Sequence, residues 1–261
     1  MAAYTVSQAP GRVGWGRRTG DAGPLVIAHR GASAEAPENT LAAFALARAQ
    51  GADGVELDVL RCGSGEVVVF HDDDLQRLGG RPGLVRDTPL AQLREIDLGG
   101  SERIPLLDDV LEALGPLLVN VELKSAPDWP ARLVDGALPA AVAAILRRHA
   151  VGARALVSSF DPLLLLRFRR RAREFATGLL FAQDQARPLR QAWTAPLVRP
   201  AALHPEARLV DAAALRRWHD RGLAVNVWTV DDPAELRLLA ALGADGIITN
   251  RPKFARSVIQ L

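Results

Sequence analysis

The segment Gly54-Val-Glu-Leu-Asp-Val-Leu60 alternates apolar and acidic residues with a period of two. On a strand this puts Val55, Leu57 and Val59 on one face and Glu56 and Asp58 on the other. Leu117–Lys124 repeats the pattern, with Val119, Val121 and Leu123 facing one way and Asn120, Glu122 and Lys124 the other. Carboxylates crowded on an inward face repel one another and lose their water, so they call for a cation. Glu56, Asp58 and Glu122 form a hard-oxygen set suited to one divalent metal, Mg²⁺ or Ca²⁺, with Mn²⁺ also compatible. The competing reading is a set of surface salt bridges on exposed strands, and the strongly apolar opposite faces argue against it.

Two histidines end neighbouring apolar runs: His29 in Ile-Ala-His-Arg-Gly and His71 in Val-Val-Val-Phe-His-Asp. With a hairpin turning near Gly63-Ser64, His71 is expected roughly across from Glu56. A lone histidine at a strand end is ordinarily structural. Two of them beside three inward carboxylates read as a general acid and a general base working near neutral pH. The sequence does not say which is which. Arg30 and Lys124 bring positive charge to the same end, the first as a planar fork and the second as a compact ammonium. With a metal present, the site then calls for an anionic ligand.

These residues must be held by strands, and the chain supplies them. Expected strands are Leu25–His29, Gly54–Leu60, Glu66–Phe70, Leu117–Lys124, Ala155–Phe160, Ala176–Phe181, Ala201–His204, Ala224–Val230 and Gly246–Thr249. Helical patterns lie between them, at Glu38–Gln50, Leu106–Leu114, Ala140–His149, Pro162–Arg173, Asp211–Arg221 and Pro233–Leu242, with a last one after Arg251. Such alternation predicts βαβ units and a mainly parallel sheet. Only Arg-Cys-Gly-Ser-Gly separates the second run from the third, too short for a parallel crossover, so Glu66–Phe70 is read as an antiparallel hairpin partner. Eight β/α units remain, the sixth poorly defined, and they predict an α/β fold, a TIM-type (β/α)8 barrel. A flat doubly wound sheet fits the same strand pattern.

Residues 24–261 are assigned to this barrel, with an insertion at 72–105 rich in glycine and proline. It carries one helical patch, Pro89–Asp97, and is expected to cap a mouth of the barrel. Residues 1–23, dominated by Gly, Pro and Arg, are expected to be a loosely ordered tail; they lack the apolar run of a signal peptide. Lys and Arg number 32 against 30 Asp and Glu, which gives no nucleic-acid footprint. No apolar run suggests a transmembrane segment, and the single cysteine, Cys62, fits a reducing, cytoplasmic setting. Trp228 shares a face with Asn226 and lines the substrate pocket or fills the core. Phe160 is similarly open, and His204 is a weaker pocket candidate.

His29-Arg-Gly followed by Pro37-Glu-Asn-Thr resembles the opening signature of glycerophosphodiester phosphodiesterases. Glu56-Leu-Asp58, His71-Asp, Glu122-Leu-Lys124, Ser159-Phe160, Trp228-Thr-Val and Ile248-Thr-Asn-Arg-Pro are similar to that family's later motifs in order and spacing. The resemblance runs from about Leu25 to the C-terminus. It implies a TIM-type barrel with a small insertion after the His71 strand, and a divalent metal on Glu56, Asp58 and Glu122. It further implies His29 and His71 as the acid/base pair, and Arg30 and Lys124 on the phosphate of a small-molecule glycerophosphodiester. The expected products are glycerol 3-phosphate and an alcohol, with water or the glycerol 2-hydroxyl as nucleophile. Asn39 supports the site or caps the following helix. Rival functions are a phospholipase D-like enzyme acting on lysophospholipids or sphingomyelin, and a non-catalytic binding protein of the same fold.

Overall fold

Runs rich in Val, Ile and Leu become strands where both faces can be buried, and that happens nine times. The computed structural model describes residues 14–18, 23–126 and 136–260. Its strands are β1 (Leu25–His29), β2 (Gly54–Arg61), β3 (Val67–Val69), β4 (Leu118–Leu123), β5 (Ala155–Ser159), β6 (Ala176–Phe181), β7 (Ala202–Pro205), β8 (Ala224–Val227) and β9 (Gly246–Thr249). Eight of them pair in parallel, and the ring closes because β1 pairs with both β9 and β2, Ile27 lying opposite Ile248 on one side and Gly54 on the other. That closure excludes the flat doubly wound sheet. The chain is a TIM barrel, with β3 attached outside the ring as an antiparallel partner of β2.

Helices fill the crossovers: α1 (Leu41–Ala49), α2 (Gln76–Gly79), α3 (Leu90–Leu93), α4 (Leu107–Ala113), α5 (Ala137–Arg148), α6 (Pro162–Arg171), α7 (Arg187–Arg190), α8 (Ala195–Val198), α9 (Ala212–His219), α10 (Pro233–Leu242) and α11 (Pro252–Ile259). Asp161 and Asp232 cap α6 and α10 ahead of a proline, whose missing N–H costs nothing in a first turn. The fifth crossover, from β6 to β7, holds only the two short helices α7 and α8, each with a proline as its second residue. The sixth β/α unit, poorly defined in the sequence, is the four-residue β7 followed by α9.

The alternation of β2 and β4 is realised as expected. Val55, Leu57, Val59, Val119 and Val121 pack outward beneath Phe44, Leu107, Val142 and Phe168 of the helical layer. Inside the ring, Leu25, Ile27, Leu118, Leu156 and Ile248 fill the lower half. Trp15 joins them at 4% exposure and donates its indole N–H to the Arg154 carbonyl at 2.7 Å. Of the expected loose tail, residues 1–13 and 19–22 lie outside the described residues, and the part that is described plugs the barrel floor. The insertion gathers Leu75, Val85, Leu93, Ile96 and Ile104 around Leu60, Val68 and Phe70 of the hairpin. It is a satellite core sharing one wall with the barrel.

Candidate active site

Glu56 and Asp58 rise from β2 and Glu122 from β4, at the C-terminal mouth where barrel active sites form. All three are buried, and each offers an oxygen within 4.8 Å of the others'. Pairing in register puts Asp58 opposite Glu122, so the two carboxylates meet because the strands align them. Glu56 Oε1 is buried with no hydrogen-bond partner among the described residues. Such a set fits a divalent cation on hard-oxygen chemistry alone.

The charges respond to this crowding. Burial, with Asp58 and Glu122 nearby, pushes the Glu56 carboxyl well above the usual range. Burial likewise raises Glu122 to about 7, although the Lys124 ammonium opposes it. Asp58 goes the other way: burial would raise it, but Lys124 and Arg30 outweigh burial and hold it at about 2. Lys124 Nζ lies 3.1 Å from Glu122 Oε1 and 3.4 Å from Asp58 Oδ1, and Arg30 Nε lies 3.2 Å from Asp58 Oδ2. Lys124 is in turn raised by its two carboxylates against the effect of burial. Three carboxylates thus face two cationic side chains, and the one-charge excess adds to burial in disfavouring full ionisation of Glu56 and Glu122.

The turn after β1 is built for close approach. Arg30 has φ of 55° and Gly31 of 84°, and a Cβ on Gly31 would lie 2.6 Å from that of Ala43 in α1. Only glycine fits there. The turn brings the Arg30 N–H to Glu56 Oε2 at 3.1 Å and its guanidinium to Glu38 at 2.9 Å. The sequence left Asn39 between two roles, and the structure separates them. Thr40 Oγ1 caps α1 by accepting from Ala43 N, while Asn39, fully buried, donates to Asp58 Oδ2 at 2.9 Å.

Each histidine has its own support. His29 Nδ1 lies 2.7 Å from Asn250 Oδ1, and Asn250 Nδ2 donates to Asp231 Oδ2 at 2.6 Å. A carboxylate only accepts, so Asp231 fixes the amide with its oxygen toward His29. Neutral His29 therefore carries its proton on Nδ1 and turns a bare Nε2 inward, 4.0 Å from Glu56 Oε2. Burial lowers its pKa to about 4, with Arg30 acting in the same direction. His71 Nδ1 instead meets a charged partner, Asp72 Oδ1, at 2.5 Å. Burial lowers His71 too, opposed by Asp58. The hairpin register runs one step from expectation: Phe70 N bonds to Asp58 O, which places His71 near Asp58 rather than across from Glu56.

Arg77 from α2 was not anticipated. Its Nε lies 2.5 Å from Asp72 Oδ2, and its two terminal nitrogens grip Glu38 at 3.0 and 2.8 Å. One guanidinium thereby joins the partner of His71 to the partner of Arg30. Trp228 is partly buried beside Phe160, ring centroids 5.4 Å apart, and its indole N–H is spent on the His204 carbonyl at 2.7 Å. It offers a ligand only its ring. His204 is not a pocket residue: it is fully buried in the barrel between Asn226 and Asn120, and burial takes its pKa to about 3.

Comparison with known proteins follows the same lines. The glycerophosphoryl diester phosphodiesterase family model matches residues 29–254. A glycerophosphodiester phosphodiesterase of Caldanaerobacter subterraneus is 34% identical over 243 residues, 88% of this chain and 95% of the relative. An Oleispira antarctica phosphodiesterase, solved in complex with the product sn-glycerol-3-phosphate, superposes with a TM-score of 0.82 at 30% identity, covering 92% of this chain and 98% of its own. The glycerophosphodiester phosphodiesterase of Thermotoga maritima gives a TM-score of 0.72 at 30% identity, over 90% and 98% of the two chains.

Proposed function

Because the chain belongs to the glycerophosphoryl diester phosphodiesterase family, we propose that it hydrolyses small glycerophosphodiesters to glycerol 3-phosphate and an alcohol by metal-assisted acid/base catalysis. The observation that carries this reading is the convergence of Glu56, Asp58 and Glu122 in one buried mouth with Arg30, Lys124, His29 and His71 around them. Glu56, Asp58 and Glu122 would hold a divalent cation, which when bound would supply Lewis-acid stabilisation of charge on the phosphoryl group.

The protein's own groups do the rest. Arg30 and Lys124 orient the phosphodiester and offset its charge. His29, held with a bare Nε2 by Asn250 and Asp231, accepts the proton of the nucleophile. His71, whose imidazolium form the Asp72 carboxylate supports against the larger effect of burial, gives a proton to the departing alcohol. The ring of Trp228 borders the glycerol or alcohol side of the site. The product bound by the Oleispira antarctica phosphodiesterase supports glycerol 3-phosphate as the retained half.

The test is release of glycerol 3-phosphate from glycerophosphocholine before and after chelation, followed by addition of Mg²⁺, Ca²⁺ or Mn²⁺ in turn. Loss on chelation and recovery with at least one ion is expected. A chelated enzyme at full rate would remove the metal from the reading, and turnover of lysophosphatidylcholine alone would remove the substrate class.

A further inference from the structure

We infer that the flank of the barrel between the α7–α8 segment and α9 is a docking surface for an anionic lipid bilayer. A groove of about 590 Å³ runs there, lined among others by Arg190, Trp193, Leu209, Arg217, Trp218 and Arg221. Three arginines and no acidic residue stand among its lining residues. Arg190 makes one long contact, to the Gln183 carbonyl at 3.5 Å, and Arg217 and Arg221 have no side-chain partner among the described residues. One wall is fixed, since Trp218 packs edge-on against Phe181 with centroids 5.7 Å apart. The other is pinned by the buried Ala195 and Val198 of α8.

That pinning turns two apolar side chains outward. Trp193 is 59% exposed and Leu197 65%, two of only four large hydrophobic residues so exposed among the described residues. Unpaired arginines beside an exposed tryptophan and leucine match the layering of a membrane surface, phosphates outside and acyl chains beneath. A free phosphate would satisfy the arginines and leave Trp193 and Leu197 in water. A protein partner would need roughly 800 Å² of buried surface on this side, far more than two side chains supply. A bilayer rich in anionic phospholipid meets both needs. Arg217 in the last turn of α9 and Arg221 just beyond it lie on the stretch that leads to the start of β8, so this flank contacts a bilayer with the catalytic mouth left open to water.

The experiment is co-sedimentation of the whole chain with vesicles of phosphatidylcholine, alone or mixed with phosphatidylglycerol. Binding is expected only with phosphatidylglycerol, weakening as salt is raised. Arg217→Ala and Arg221→Ala should each lower the partition coefficient about fivefold, the size usual for one basic side chain at a charged surface. Trp193→Ala with Leu197→Ala should lower it at constant charge, and all these variants should keep their rate on a water-soluble diester. A His29→Ala variant should still sediment, which separates this surface from capture in the active site. The inference is overturned by equal binding to phosphatidylcholine, by no binding, or by arginine variants that sediment like the parent. It is also overturned if the same substitutions abolish self-association of the chain instead.

Discussion

At the scale of single residues, the site is a balance of protons and cations. His29→Ala and His71→Ala are each expected to lower kcat by about 10²–10⁴, the usual general acid–base contribution, with little change in KM. Near-native kcat in both would sink the acid/base assignment. Asn250→Ala should act through His29, since it frees the ring to carry its proton on either nitrogen; steady-state rates should show a lower kcat with KM unmoved. The carboxylates make a separate statement about pH. Burial raises Glu122 to about 7 and Glu56 well above its usual range, so near neutral pH Glu122 is partly protonated and an incoming ion must displace that proton. The sign follows: metal affinity rises with pH through neutrality, and binding releases protons. Calorimetry at pH 7 in buffers of different ionisation enthalpy reads this directly, and identical heats in all buffers would contradict it.

At the scale of elements, the insertion at 72–105 was expected to cap the mouth, and Arg77 gives it a second role. A gate alone would alter which leaving alcohols enter. Arg77, however, extends from α2 to both Glu38 and Asp72, so the insertion also braces the groups behind Arg30 and His71. Arg77→Ala is therefore expected to lower kcat roughly tenfold to a hundredfold on every diester, small artificial ones included, with Arg77→Lys restoring part of it. A change in substrate ranking without a general loss would return the insertion to gating alone. Strands and their inward acids were legible because a period of two is written locally in Gly54–Leu60 and Leu117–Lys124. Glu56, Asp58 and Glu122 could be picked out for that reason. The partnership of Asn250 with His29 spans 221 positions and has no period to betray it, although Asn250 stood within the quoted Ile248-Thr-Asn-Arg-Pro motif. Arg77 lay in a stretch of broken pattern, where a short helix gives no repeat to read. His204 misled for a related reason: the end of a strand in sequence is not the mouth of the barrel when the next residues keep the chain buried.

At the scale of the molecule, the described N-terminal residues belong to the barrel's stability. Trp15 lies against Leu25, Ile27, Leu118 and Leu156, and Trp15→Ala should cost about 3 kcal/mol in denaturant unfolding. The rate of the folded enzyme should be unaffected, because the catalytic mouth is at the other end. A variant as stable as the parent would mean that this contact is incidental. The plug has a kinetic consequence as well. With the floor stoppered and the lower interior filled by side chains, the described residues leave the catalytic mouth as the way in and out. Whatever arrives at the catalytic centre and whatever departs then use the same vestibule. Glycerol 3-phosphate lingering in the centre would therefore bar the next diester outright. Added to the assay, it should raise the apparent KM and leave kcat alone, and a fall in kcat at saturating diester would mean that it also binds enzyme already carrying substrate or alcohol.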